Sequence, residues 1–141
     1  FGEVKTEKMK TNTYELVYDL VRLAQFSKQS IDISKMNGVL CFQAVGFTIT
    51  FYFVNLLYDG FYVMFPIGKI NVPKSIMDIP SILLSADVLL DVYNIYHQYC
   101  IPTDDPTSLE EKTKPSLSTP DFKELVYTSK NRKRTCNLIF N

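Results

Sequence analysis

Residues 48–66 read TITFYFVNLLYDGFYVMFP, and they predict the centre of a β-sheet. Apolar residues alternate with Thr and Tyr through residues 48–53, the period-two pattern of a strand with one buried face. The dipeptide Asp59-Gly60 then predicts a tight hairpin turn, and residues 61–66 predict the strand that returns from it.

Two further strands are predicted around this hairpin. Residues 39–45 are mostly apolar and follow an Asn37-Gly38 turn signal, and residues 68–72 form a short run that a proline ends. The sequence therefore predicts a sheet of three or four strands within residues 37–72.

Two helices are predicted beside the sheet. Residues 14–30 carry apolar side chains at steps of three and four, which is typical of an amphipathic helix, and Asp19, Arg22 and Lys28 are expected mostly outside its apolar stripe. Residues 79–99 repeat the pattern, with a proline in the first turn. We therefore expect a mixed α/β (α+β) fold in which two main helices flank the sheet.

The length of 141 residues favours one domain, with residues 1–100 as its core. Residues 103–123 are rich in Pro, Ser, Thr and charge, a composition that buries too little apolar surface to offset the entropy of ordering. We expect residues 101–141 to form a polar, mostly disordered tail. Fifteen basic and fifteen acidic side chains cancel, so any nucleic-acid binding needs a local basic patch.

The cysteines indicate the cellular compartment. Cys41, Cys100 and Cys136 are widely spaced and form no CxxC pair, which disfavours a disulfide framework; His97, the single histidine, disfavours a zinc site. These features predict an intracellular protein. Residues 47–57 are too short to span a membrane, and the opening lacks both a signal peptide and an initial Met, so we expect a piece of a longer precursor.

Glu3-Val4-Lys5 is the motif that points to chemistry. On a strand, residues two apart share one face, so Glu3 and Lys5 would lie together. A carboxylate can help to hold a hard divalent cation, and an ammonium can stabilise negative charge that develops on a phosphate. This pairing suits phosphodiester hydrolysis, and an exposed pair of charges at a strand end is the alternative.

With this motif on its opening strand, the chain resembles the PD-(D/E)xK nuclease superfamily, in a form carried by a group of fungal proteins. The resemblance covers residues 1–100, including the order of helix and strands. It rests on the segments FGEVK (1–5), DLVRL (19–23), VG (45–46) and YDGFYVM (58–64).

The resemblance implies a partial restriction-endonuclease-like core, hydrolysis of DNA or RNA, and Mg²⁺ or Mn²⁺ as cofactor. Glu3 would then be a metal ligand and catalytic residue, and Lys5 the catalytic lysine. Gln25 and Lys28 fall on the first helix, where such nucleases place a supporting polar residue. An ordinary exposed helix face is the alternative for both.

The chain departs from the family pattern at its start, because members carry another acidic residue on the strand before the motif and nothing precedes Phe1. We therefore expect a fragment of a nuclease-like domain that is inactive by itself. The alternative is a non-catalytic protein-binding or assembly module, with self-association or a partner strand at the open sheet edge of residues 1–6. A second E-x-K match, Glu110-Glu111-Lys112, falls in the expected tail and is interpreted as chance.

A compact basic patch lies near the end of the chain. It predicts either a nuclear-localisation signal or a contact with nucleic-acid phosphates, and a merely solvated tail is the alternative. Its residues are Lys130, Arg132, Lys133 and Arg134.

Overall fold

The computed structural model describes residues 1–116. Its regular elements are four strands, three α-helices and two 3-10 helices within those residues. In chain order they are β1 (Gly2–Lys5), the 3-10 helix Glu7–Thr11, α1 (Thr13–Ser34), β2 (Gly38–Val45), β3 (Thr48–Tyr58), β4 (Phe61–Asn71), the 3-10 helix Ile76–Ser85, α2 (Ala86–Tyr99) and α3 (Pro106–Lys112).

The four strands form one mixed sheet in the order β1-β2-β3-β4. β1 and β2 are parallel and are joined through α1, whereas β2, β3 and β4 are antiparallel neighbours. α1 covers one face, and α2 lies on the other, where the ring of Tyr99 is 5.8 Å from that of Phe53. The mixed α/β architecture predicted from the sequence is confirmed.

The core lies between α1 and the sheet. Leu23 and Ile31 of α1 are fully buried against Val39, Cys41 and Val54 of β2 and β3. Burial of such side chains contributes about 1.5–3 kcal/mol each, so this layer is the main apolar contact holding α1 to the sheet.

Each end of α1 is set by a local signal. The Asn12 side chain accepts a hydrogen bond from the backbone N–H of Glu15, which is the usual role of an N-cap residue. Lys35 ends the helix in the left-handed conformation, with φ of 52°. The helix is therefore longer than the predicted residues 14–30 at both ends.

Both hairpins turn on a glycine with a positive φ, a conformation that side chains disfavour. Gly46 has φ of +60° in the two-residue turn between β2 and β3, and Gly60 has φ of +67° between β3 and β4. The hairpin predicted at Asp59-Gly60 is confirmed.

The separate short strand predicted at residues 68–72 is wrong, because β4 continues through it to Asn71. The register shifts at this point: Tyr52 pairs with Pro66, whereas Phe51 pairs with Gly68. Proline cannot donate a ladder hydrogen bond, and a bulge allows the strand to pass it without ending.

The second helix also differs from its prediction. Residues 76–85 form a 3-10 helix that contains Pro80, and the α-helix begins only at Ala86. Pro80 lacks the N–H that an α-helical bond requires. Several large apolar side chains of this segment are exposed, including Met77 and Leu84 at 88% and 89%.

The prediction of disorder is wrong for residues 103–116. α3 has Asp105 as its N-cap, Leu109 packs on the core, and Glu110 pairs with Lys35 at 2.7 Å. Backbone bonds attach both ends of the segment, from Thr103 N to Lys35 O and from Gly60 N to Lys112 O, each at 2.7 Å. One partly buried leucine and these bonds order a stretch whose composition alone favoured disorder. The rest of the predicted tail, residues 117–141, lies outside the described residues.

We predict that Ile31→Ala lowers the free energy of unfolding by about 2–5 kcal/mol, because Ile31 is 0% exposed and the change leaves a cavity. Ile33→Ala is the matched control on the same helix, where the side chain is 79% exposed, and should change stability by about 0.5 kcal/mol or less. Urea unfolding followed by circular dichroism measures both. Equal effects of the two substitutions would contradict the assigned packing of α1.

Candidate functional site

β1 places the two residues of the E-x-K motif on one face of the sheet. Glu3 and Lys5 point toward α1, where their charged groups meet side chains of that helix. Val4 points to the opposite face and is 71% exposed. The strand geometry expected from the motif is therefore present at residues 2–5.

Four side chains form what we call the ionic cluster: Glu3, Lys5, Asp19 and Arg22. An Arg22 guanidinium nitrogen lies 3.1 Å from a Glu3 carboxylate oxygen and 3.8 Å from Asp19 Oδ1. The Lys5 ammonium lies 3.3 Å from Asp19 Oδ2. Charges alternate in sign along this chain of contacts and sum to zero.

Asp19 is the unusual member, because its side chain is 1% exposed and neither carboxylate oxygen accepts a hydrogen bond within residues 1–116. Its two cationic neighbours supply charge without well-directed hydrogen bonds. Asp19 is therefore ion-paired but not hydrogen-bonded, and buried polar groups without hydrogen bonds are rare enough to need an explanation.

The expectation that Asp19 lies outside the buried stripe is wrong. The fully buried positions of α1 are every fourth residue, namely Asp19, Leu23, Ser27 and Ile31. Val17 of the same helix is apolar but 52% exposed. Asp19 lies four residues before Leu23, a spacing that places it in the buried row. A charged residue is not expected at such a position, so the spacing alone did not predict its burial.

The cluster contains carboxylate oxygens, the ligand type that a hard divalent cation takes, at Glu3 and Asp19. Glu3 and Asp19 approach the same guanidinium, and Mg²⁺ in phosphoryl-transfer sites is commonly held by one or two carboxylates together with substrate phosphates. Glu3 and Asp19 are therefore the residues that would hold it. Within the described residues no group of three or more His, Cys, Asp or Glu side chains could hold a metal ion, so substrate or solvent oxygens would complete the shell.

Lys28 belongs to a different group of side chains. Its ammonium donates to Asp32 at 2.7 Å and to the Lys114 carbonyl at 2.6 Å, and lies over the Tyr62 ring. Tyr62 also donates its hydroxyl to Asp32; burial and this bond raise the pKa of Tyr62. The structure thus does not join Lys28 to the E-x-K pair, and Gln25 is half-buried in the middle of α1.

The remaining sequence candidates are the cysteines, His97, the second E-x-K match and the basic patch. Burial raises the pKa of both Cys41 and Cys100, so these thiols are poor nucleophiles. His97 packs against Tyr93 and Tyr96, with ring centroids 4.3 and 5.3 Å away. The second E-x-K match lies on α3 rather than on a strand. The basic patch Lys130, Arg132, Lys133 and Arg134 lies outside the described residues.

Comparisons of the chain with protein-family models, with curated proteins and with solved structures find no match. Within residues 1–116, no helix combines the length and apolar composition needed to cross a membrane.

We predict that Lys5→Met lowers the free energy of unfolding by about 2–3 kcal/mol, because it removes the nearer of the two cations beside the buried Asp19. The double variant Lys5→Met/Asp19→Leu should recover at least half of that loss, since apolar side chains can replace a buried ion pair. Urea unfolding measures both, with Lys8→Met as the exposed-lysine control. A Lys5→Met effect no larger than that of Lys8→Met would show that the contact adds nothing to stability.

Proposed function

We propose that the chain is part of a nuclease-like domain of PD-(D/E)xK type that hydrolyses phosphodiester bonds with Mg²⁺ or Mn²⁺. The observation that carries the proposal is the burial of Asp19, without hydrogen bonds within the described residues, beside the Glu3 and Lys5 side chains of β1. Residues that break a local sequence rule, as a buried aspartate in the apolar row of a helix does, are expected at functional or strained sites.

A purely structural reading accounts for this arrangement less well. Well-packed apolar residues would join α1 to β1 at least as firmly as a buried ion network, without the cost of desolvating charges. Arg22 is also 40% exposed, so its contact with Glu3 at 3.1 Å can be exchanged for a contact with an incoming phosphate. The cluster is therefore better suited to bind a charged ligand than to stabilise the fold.

Each member of the cluster has a role in this proposal. Glu3 and Asp19 would hold the divalent cation, which when bound would polarise the phosphate and lower the pKa of a water molecule. Lys5 donates to a non-bridging phosphate oxygen and stabilises its developing negative charge. Arg22 moves from Glu3 to the substrate phosphate, where its planar group can form two hydrogen bonds. Hydrolysis adds water across one P–O ester bond and leaves a phosphate end and a hydroxyl end.

Asp19 can replace the acidic residue that the family pattern places on an earlier strand. In this proposal α1 supplies the second carboxylate, from the helix rather than from a strand. Two carboxylates are a small ligand set for Mg²⁺, so the proposal implies weak binding of the cation until substrate phosphates add their oxygens.

The sequence alone predicts an inactive fragment, whereas the second carboxylate that Asp19 supplies leads us to predict that the full chain cleaves oligonucleotides in Mg²⁺ or Mn²⁺. Lys5→Ala should lower the rate about a hundredfold while binding is retained, because the lysine acts on the transition state. Glu3→Gln should also abolish metal-dependent cleavage, and it leaves the buried carboxylate of Asp19 with both of its cations. Lys8→Ala and Glu7→Gln are the matched controls. Gel-resolved cleavage, binding anisotropy and circular dichroism measure rate, affinity and folding.

The outcomes separate two classes of protein. Loss of cleavage in Lys5→Ala and Glu3→Gln, with folding and binding intact, supports the nuclease. Binding without cleavage by the unaltered chain favours a module that kept the fold without the chemistry. Equal cleavage by Lys5→Ala and Lys8→Ala would assign the activity elsewhere.

The second candidate function is assembly through the open edge of β1. β1 pairs only with β2 within residues 1–116, and the backbone of its outer side has no strand partner there. Such edges pair readily with other strands, and β1 has an exposed valine at its centre. A second copy of this chain, pairing edge to edge, is the occupant that we propose.

We predict that Val4→Lys weakens self-association, because a lysine on an edge strand opposes pairing between identical edges. Val17→Lys is the control, since residue 17 is 52% exposed and lies on α1 rather than on the edge strand. Sedimentation equilibrium measures both against the unaltered chain. A monomer at high concentration, or an equal effect of the two lysines, would rule out this interface.

A further inference from the structure

A pocket of about 340 Å³ opens beside the ionic cluster, on the face of the sheet that α1 covers. It lies where β2 ends and β3 begins, and the first turn of α1 borders it. Its polar lining consists of Lys10, Gln43, Thr48, Thr50, Tyr52 and Lys69. In open α/β sheets, ligands bind beyond the carboxyl ends of parallel strands. Val45, the last residue of β2, lines this pocket and pairs in register with Lys5, the last residue of β1.

The charge of the lining has one sign. Lys10 and Lys69 reach the pocket from the 3-10 helix Glu7–Thr11 and from β4, and no Asp or Glu among residues 1–116 lines it. Neither lysine forms an ion pair within residues 1–116, whereas Lys5, Lys28 and Lys114 each pair with a carboxylate. Two unpaired ammonium groups across one pocket favour an anionic ligand.

The neutral groups of the lining are positioned by hydrogen bonds. The Gln43 amide donates to the Leu16 carbonyl at 2.9 Å, and the Thr48 hydroxyl donates to Asn71 at 3.1 Å. Burial raises the pKa of Tyr52, which keeps its hydroxyl protonated and able to donate. The Thr48 hydroxyl has a single proton, which Asn71 accepts, so the pocket offers the hydroxyls of Thr50 and Tyr52 as donors beneath its two lysines.

We propose that this pocket binds a phosphate group, and that in the proposed nuclease function it takes the phosphate next to the one at the ionic cluster. Gln43 of the pocket pairs in register with Glu3, and neighbouring strands lie about 4.8 Å apart. The two sites are therefore one strand apart on the same face. The assignment to a neighbouring phosphate rests on the proposed function, whereas the phosphate pocket does not, because it needs no divalent cation.

The test uses the isotope-labelled full chain without divalent metal, titrated with pyrophosphate and separately with a ten-residue oligothymidylate. Amide chemical shifts of Thr48, Thr50 and Lys69 should move with both ligands. Lys10→Ala/Lys69→Ala should weaken pyrophosphate binding roughly tenfold or more, because it removes both charged donors.

Lys8→Ala/Lys74→Ala is the matched control, since it removes the same charge from residues that do not line the pocket. It should change the affinity less than twofold. Both substituted lysines of the pocket are exposed, so thermal unfolding should show that each double variant keeps the fold.

The outcomes distinguish this pocket from the proposed nuclease. Pyrophosphate binding without oligothymidylate binding supports the phosphate site and assigns it to free phosphate compounds. The same result contradicts the proposed nuclease function. If oligothymidylate binds without moving the amide chemical shifts of Thr48, Thr50 and Lys69, the phosphate-site proposal is wrong and the nuclease proposal is unaffected. Equal pyrophosphate affinity of the two double variants, or none for the unaltered chain, also overturns the pocket.

Discussion

The packing of one row of α1 against the sheet is the contact on which the rest of the structure depends. Residues at every fourth position of the helix are fully buried, and Leu23 and Ile31 supply the apolar part of that row. Since α1 connects the parallel strands β1 and β2, its position also sets theirs. Strand order, the depth of the core and the neighbours of the E-x-K motif all follow from this contact.

The same row of α1 also contains the charged residue on which the candidate chemistry depends. Asp19 occupies a position that packing alone would give to an apolar side chain, and its burial requires cations from β1 and from the next turn of α1. Desolvation of such charges costs several kcal/mol per ion before their attraction is counted. The apolar contacts farther along α1 offset that cost, so a strained charged site can persist at one end of a stable helix.

Near its other end, α1 carries a second polar group with a different role. Lys28 and Asp32 join Tyr62 of β4 and the carbonyl of Lys114 into one hydrogen-bonded set. This set attaches the segment after α3 to the sheet, and the ion pair between Lys114 and Asp59 adds a contact at the β3–β4 turn. The polar group around Asp19 is thus a candidate binding site, whereas the group around Lys28 has an architectural role.

The strands were predictable because their information is local. Alternation in residues 48–53, the Asp59-Gly60 turn and the spacing of apolar residues in α1 each follow from the geometry of a single element. The motif at Glu3 and Lys5 was predictable for the same reason, since residues two apart on a strand share a face. The sequence also favoured a nuclease-like reading, which stays a proposal.

The features that the sequence did not predict depend on contacts between different helices and strands. The spacing of Asp19 from Leu23 is compatible with burial, but the sequence could not predict that Lys5 pairs with Asp19, since Lys5 comes from another element across the helix–sheet interface. It could not predict order in residues 103–116, because the energy comes from Lys35, Gly60 and the core rather than from the segment itself. The pocket between Lys10 and Lys69 exists only once the sheet brings residues 59 positions apart to one face. Composition and periodicity determine which elements form; charge pairing, docking and pockets depend on distances that only the packed chain sets.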